Sequence, residues 1–392
     1  MPAPVLWVYP PLARAMLWLF LCLLSIGSGE AFSEDSNVLT ADAEPRFDIK
    51  HVLRNAAQRP AVSETILNVA GFTYVNDREH LLDDLLDTRD ASFELDAQVR
   101  QLSYRFGDEE RLITLLKQMD GKSATAQAGL SIVLANPLLD DRYSISINTR
   151  TRFAGTFFYE SGDEQKLRLA PVIAFIELAE LDSHVDVSGI GVGELALHRQ
   201  FRIPALAETQ FAFSLKHQEV WLYERDVQVK RYRESDLFRL NRFIRKFSRA
   251  NMDLAASQQW GNWTAGLTLR DLVESTHRGP EGSDFHVRTR AELQLDYALA
   301  WGRLSLDRDL SPQPAFGVMK GRRETRLALD VPVSSRINLG ASFLAIERDR
   351  DADSLGVTIA YHLPAGFHLQ FTGNIASRDE LGGSFQIQLP LF

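Results

Sequence analysis

Five arginines, Arg150, Arg152, Arg168, Arg288 and Arg290, have the spacing that most invites a chemical reading. Two of them lie two apart in YSISINTRTRF (143–153), and two more lie two apart in FHVRTRAELQLDY (285–297). Residues two apart in an extended chain share a face, so each pair offers two guanidiniums to one surface. Such a lining either favours anionic solutes or meets acids that face it. A second basic group fills 224–249, nine bases against four acids. Within it Arg231, Arg233, Arg242, Arg245 and Lys246 form a candidate clamp for lipopolysaccharide phosphates, since guanidinium and phosphate match in fork geometry. The acids concentrate elsewhere, twelve against six bases in 77–121. A carboxylate metal site there would want a Glu-x-x-His pair, which is absent. His184, His198 and His217 are scattered and read as surface or interior histidines. Hydrolase elbows, phosphate loops and HExxH are missing. The expectation is therefore no enzyme, no metal and no cofactor.

The elements that must position these residues come in two textures. In 77–121 the apolar residues Leu81, Leu82, Leu85, Leu86, Leu112, Ile113, Leu115, Leu116 and Met119 recur at helical spacing. Past Ala124 the period becomes two. Tyr143, Ile145, Ile147 and Phe153 alternate with Ser144, Ser146, Asn148, Arg150 and Arg152, and similar runs recur at 285–297, 336–345 and 367–375. These runs are longer than the roughly 5–6 residues of a soluble strand and suit the roughly 9–11 needed to cross a bilayer at a tilt. An arginine facing hydrocarbon costs about 2–4 kcal/mol. The apolar face of 143–153 is therefore expected to meet lipid and the arginine face to look inward.

The joints sharpen this. Tight ones near 363–365, 333–334, 300–302 and 259–262 alternate with longer polar ones at 377–382, 348–353, 310–322 and 274–284. That rhythm fits an up-and-down membrane barrel with short turns on one side and longer loops on the other. Strands are expected to start near 124, 141, 166, 184, 208, 250, 262, 285, 302, 323, 335, 354, 366 and 383. The expected fold is an all-β antiparallel transmembrane barrel of about 14 strands (12–16) over 123–392. An N-terminal segment, 32–122, with helices at 77–121, would plug it or lie in the periplasm. Two joints break the rhythm: 137–140 is short where a long one is due, and 156–165 is long where a short one is due.

Residues 1–31 read as a signal peptide. Arg14 precedes an apolar run, Met16–Ile26, and GEA at 29–31 offers a cleavage site. Cys22, the single cysteine, lies in that run, so the remainder has no thiol chemistry. The net charge of −9 argues against direct nucleic-acid binding. Trp260, Trp263 and Trp301 at tight joints suit an interfacial girdle. The chain stops on Phe392 after GGSFQIQLPLF, a candidate signal for barrel-assembly machinery, although Pro390 stands where an aromatic is usual.

Several stretches, in order, resemble the TraF-like conjugal-transfer family. They are ETILNVAGFTYVND (64–77), LLKQMDGKSATAQAGLSIVLANP (115–137), GVGELALHRQFRIP (191–204), GNWTAGLTLRDLV (261–273), LSLDRDLSPQPAFG (304–317) and GGSFQIQLPLF (382–392). The resemblance implies an outer-membrane barrel distantly related to long-chain fatty-acid transporters, and it implies no established chemistry. The basic 224–249 segment departs from the family's acidic loop. The expected function is a channel, transporter or envelope component in the bacterial outer membrane. Its expected partners are lipid and lipopolysaccharide, assembly machinery, periplasmic chaperones and envelope transfer-complex proteins. Uptake of hydrophobic compounds, a structural or adhesive barrel, and an outer-membrane lipase are the alternatives.

Overall fold

A computed structural model describes residues 65–391, apart from 78, 102, 106, 136–141, 170–180, 204–205, 207, 229–242, 348–352 and 378–379. Fourteen antiparallel strands close into a barrel. In chain order they are β1 (Thr65–Asn76), β2 (Ser123–Ala135), β3 (Tyr143–Phe158), β4 (His184–Arg202), β5 (Thr209–Gln228), β6 (Ile244–Trp260) and β7 (Trp263–Arg270). A separate two-stranded hairpin, β8 (Ser275–Arg278) and β9 (Asp284–Val287), follows. The ring resumes with β10 (Arg290–Leu299), β11 (Gly302–Asp309), β12 (Arg323–Pro332), β13 (Ile337–Glu347), β14 (Ser354–His362), β15 (His368–Ser377) and β16 (Glu380–Leu391). Each strand pairs with its sequence neighbour in the ring, and β1 pairs with both β2 and β16 to shut it.

The strand count agrees with the sequence reading, but its membership does not. The barrel begins at Thr65 rather than 123, and the strand expected at 166 is the helix α3 (Gly162–Leu169). The acids Asp163 and Glu164 in its first turn and Lys166 and Arg168 in its last complement the helix dipole. Including β1 and removing the strand at 166 mends the broken rhythm. All the long joints, 77–122 and 159–183 among them, then fall at one end of the barrel. The other end holds only joints of seven residues or fewer, together with the start of β1 and the end of β16, while the two-residue β15–β16 joint is the short one at the long-joint end.

The expected helices are present as α1 (Leu81–Arg100) and α2 (Asp108–Met119). They are not a plug. Their apolar faces (Leu81, Leu85, Leu95, Leu112, Leu116, Met119) pack with Leu167 of α3 against Phe157, Val185 and Val227. By strand alternation those three share the outward face with Ile145, Leu195 and Leu215. The helices therefore cover the outside of β3–β5 at the long-joint end. Strands β3–β6 run to 16–20 residues where β10–β15 have 8–11. At about 3.4 Å per residue the longer group has the reach to rise above its neighbours and carry this layer.

The two faces of the wall are inverted relative to a soluble protein. Outward residues such as Val357, Leu355, Ile375 and Phe371 are 59–65% exposed, and Trp260, Trp263 and Trp301 are exposed beside tight turns. Inward residues such as Thr358, Gln370, Asn251 and Glu292 are at most 3% exposed. Strand β3 follows the same rule: Ile145 and Ile147 point out, while Ser144 and Ser146 are buried inside.

Candidate functional site: the lumen

The inner wall divides in two. From β4 to β12 it is charged. Lys216 on β5 lies 2.8 Å from Asp253 of β6 and 3.0 Å from Asp271, which follows β7. The second Asp271 oxygen accepts from Arg290 of β10 at 2.9 Å. Gln218 and Asn251 donate to Asp271 at 3.2 and 3.1 Å, and its own N–H donates to Asp253 at 2.9 Å. These bonds hold Asp271 at φ 55°, a left-handed conformation uncommon outside glycine. Further pairs continue the pattern: Arg270–Glu292 at 2.7 Å, Arg303–Asp296 at 2.9 Å and Arg322–Glu324 at 2.5 Å. Ions out of water are tolerated when they are paired and hydrogen-bonded, and this wall supplies both signs itself.

On β13–β15, β1 and β2 the inner face is uncharged. Ser342, Thr358, His368, Gln370, Thr372, Asn68, Gln127 and Ser131 line it, all buried. Thr358 and Thr372 share a hydrogen bond of 2.8 Å across β14–β15.

Two segments fold into the lumen from the long-joint end. The hairpin β8–β9 brings Phe285 and Val287. The β11–β12 loop, 310–322, brings Phe316 and Met319. They pack on Ala154, Val192, Val220 and Leu222, inward residues of β3–β5. The β11–β12 loop springs from one side of the ring and reaches strands halfway round it. There Val318 N donates to Ser188 Oγ at 3.1 Å, Arg152 donates to the Lys320 carbonyl at 3.2 Å, and Arg322 donates to Gln127 at 2.9 Å. Gly317 has φ +53°, and a Cβ there would sit 2.0 Å from Ser188 Oγ, so the docking needs glycine. Glu224 of β5 accepts Glu281 N–H of the hairpin at 3.0 Å. A loop thus crosses the lumen, and a hairpin rooted at Asp271 lies beside it.

The arginines singled out from sequence separate. Arg290 lines the lumen and pairs with Asp271, an acid of the barrel itself. Arg152 holds the crossing loop. Arg150 lies on the inner face of β3 and is exposed. Arg288 is exposed in the break between β9 and β10, which the sequence reading ran together as one strand. Arg168 lies outside the lumen on α3, where it pairs with Glu110 and Glu164. Of the basic-loop residues, Lys246 points outward on β6 with its ammonium 6.0 Å from the Trp221 ring, whereas Arg245, opposite the inward Leu222, lies on the inner face at the start of β6 and leaves the expected outer clamp. Arg231, Arg233, Arg242, the terminal Phe392 and the expected signal peptide lie outside the described residues.

Sequence spacing missed the Asp271 network and also a smaller arrangement. His198 is buried between Ser146 at 2.8 Å and Ser214 at 2.5 Å on three adjacent strands. The three are far apart in sequence, and only barrel register unites them. Ser146 and Ser214 are 1% and 0% exposed, and each ring nitrogen faces a serine. A nucleophile needs an oriented base and room for substrate. Here a polar core is satisfied instead.

The family described as F plasmid transfer operon, TraF, protein matches residues 55–310, well over half of the chain. The chain belongs to this family. No curated protein sequence matches it. Among solved structures, this TraF-family chain is similar to a TodX deltaS2S3 mutant monoaromatic hydrocarbon channel at 9% identity. The match covers 83% of this chain and 88% of that one, with a TM-score of 0.43. The Ralstonia pickettii toluene transporter TbuX matches at 7% identity over 84% and 90%, with a TM-score of 0.43. Outer membrane phospholipase A from Escherichia coli matches at 11% over 83% and 97%, with a TM-score of 0.29. Likenesses this distant determine no ligand.

Proposed function

We propose that this TraF-family chain is a barrel of the bacterial outer membrane that forms a passage closed by its own loops. It would serve as a channel or as an envelope component in conjugation-like transfer. The observation that carries the reading is the β11–β12 loop docked across the lumen onto β2–β5, inside a wall that is apolar outside and polar within. The apolar belt suits hydrocarbon. The long-joint end, with α1–α3, would then face the exterior, and the short turns with both described chain ends would face the periplasm. Lys246 would meet lipopolysaccharide phosphates at the outer interface, and Phe392 would serve assembly. Replacing 312–320 by a short Gly-Ser link should raise conductance in planar bilayers well above that of the intact chain. A shortened barrel that still shifts on gels before boiling, yet conducts no more than wild type, would defeat the reading.

A second reading has its own observation. The patch of Val192, Val220 and Leu222 is an apolar site within a polar lumen, filled by Phe316 and Met319. Uptake of hydrophobic compounds would use that site once the loop withdrew. Ligand-uptake assays on the same shortened chain separate this from ion passage.

A further inference from the structure

Two register pairs stand side by side on the inner face of the β4–β5 ladder, at its long-joint end. His184 is opposite Gln228, and Asp186 is opposite Asp226. We propose that these four side chains form a binding site for one divalent cation of the zinc or manganese class. The inference is independent of whether the lumen conducts.

Four observations converge. Like charges directly opposed across a ladder are destabilising, and Asp186 and Asp226 are so opposed with Glu224 two residues along the same face. Among the described residues no lysine or arginine forms an ion pair with either carboxylate, and the one contact of this kind is His184 Nε2 to Asp186 Oδ1 at 3.2 Å. Arg225, between them in sequence, points to the other face, with its guanidinium 4.6 Å from the Phe243 ring. Second, donor atoms of His184, Asp186 and Asp226 all lie within 4.8 Å of one another. One ion with bonds of about 2.0–2.2 Å spans such a set after small side-chain shifts. Third, Asp186 Oδ1 and Gln228 Oε1 are buried oxygens with no hydrogen-bond donor. Unmet acceptors of this kind call for an ion or a donor.

The fourth is the imidazole itself. Its Nδ1 lies 2.8 Å from the Asp182 carbonyl, an acceptor, so Nδ1 carries the proton and donates. The Nε2 lone pair therefore faces the carboxylates. Metal-ligating histidines are commonly held by such a backbone bond. Phe158 stacks on the ring with centroids 5.8 Å apart and fixes its plane. One nitrogen and three oxygens suit zinc or manganese, whereas calcium prefers an all-oxygen set. The adjacent Ser183 donates its N–H and its hydroxyl to Asp163 of α3 at 2.7 and 2.6 Å. A bound ion would thus tie the helical layer to the strands beneath it.

The test uses the full chain, folded in detergent, stripped with EDTA and titrated with cobalt(II) by visible absorbance and with zinc(II) by calorimetry. One equivalent should bind. The double substitution Asp186→Asn with Asp226→Asn should weaken binding tenfold or more, and His184→Ala should abolish the cobalt band. The double variant loses the charge repulsion, so it should keep the folded gel shift. Zinc should raise the unfolding midpoint of wild type and leave the double variant unmoved. Equal binding by wild type and double variant, or no binding by a folded wild type, overturns the site. An equal rise with calcium overturns the class of ion.

Discussion

Two halves of one wall solve the same burial problem differently. Strands β4–β12 line the lumen with ions of both signs joined through Asp271, while β13–β15, β1 and β2 line it with hydroxyls and amides. The charged half is also the half from which the crossing loop and the hairpin spring. Charge serves here to fix where loops are rooted, and the neutral half leaves a wall that makes no strong electrostatic demand. A lining of unpaired arginines, one of the two readings open from the sequence, would have made the whole passage anion-seeking. The described pairs cancel that field locally.

The largest test of this contrast is Asp271→Ala. It takes the carboxylate partner from Arg290 and leaves Lys216 to Asp253, and breaking a buried network on one side costs about 3–5 kcal/mol. The thermal loss of the fast-migrating gel band should move accordingly. Phe316→Ala empties the apolar core between loop and wall and should cost about 3–5 kcal/mol, read the same way, with conductance rising as the loop loosens. On the outside, Val357→Arg should cost about 2–4 kcal/mol in lipid bilayers if that face meets hydrocarbon. An unchanged midpoint in vesicles would place the face in water. On the neutral wall, Thr358→Val leaves only Thr372 in want of a partner, and about 1 kcal/mol is expected.

The smallest effect lies outside the barrel. Glu109 of α2 accepts from the Tyr104 hydroxyl and, at 2.9 Å, from Gly107 N–H. Burial pushes its carboxyl up, but these bonds outweigh that and hold it below its ordinary value of 4.5. Its contribution is therefore complete at neutral pH and fades as pH falls from the unfolded value through the lower folded one. Glu109→Gln should flatten the acid limb of the stability curve of the helical layer, followed by hydrogen exchange.

Most of the wall was legible because alternation survives where one face is greasy and the other polar. Strand β1 escaped because its inner face carries Ile66, Ala70 and Phe72 as well as Asn68, while Gly71 and Thr73 interrupt the outer one. Its pattern has no clean period of two. The segment at 166 misled for the opposite reason: Leu167 and Leu169 alternate with Arg168, yet the dipole-matched charges around them favour a turn or two of helix. The two errors cancelled in the count and showed only as misplaced short and long joints. The lumen network was not legible. Lys216, Asp253, Asp271 and Arg290 belong to separate segments, and nothing local links them. The same holds for His184 with Asp226, which only strand register brings face to face.

The seam between β1 and β16 has a consequence for how the molecule comes into being. Thirteen of the joins bring together strands close in sequence, but this one unites residues roughly 300 apart. The ring cannot be shut until the last strand has emerged from synthesis, and until then two bare edges stand open. This join therefore carries the largest loop-closure cost of the ring, and whatever escorts the chain must shield those edges until it forms.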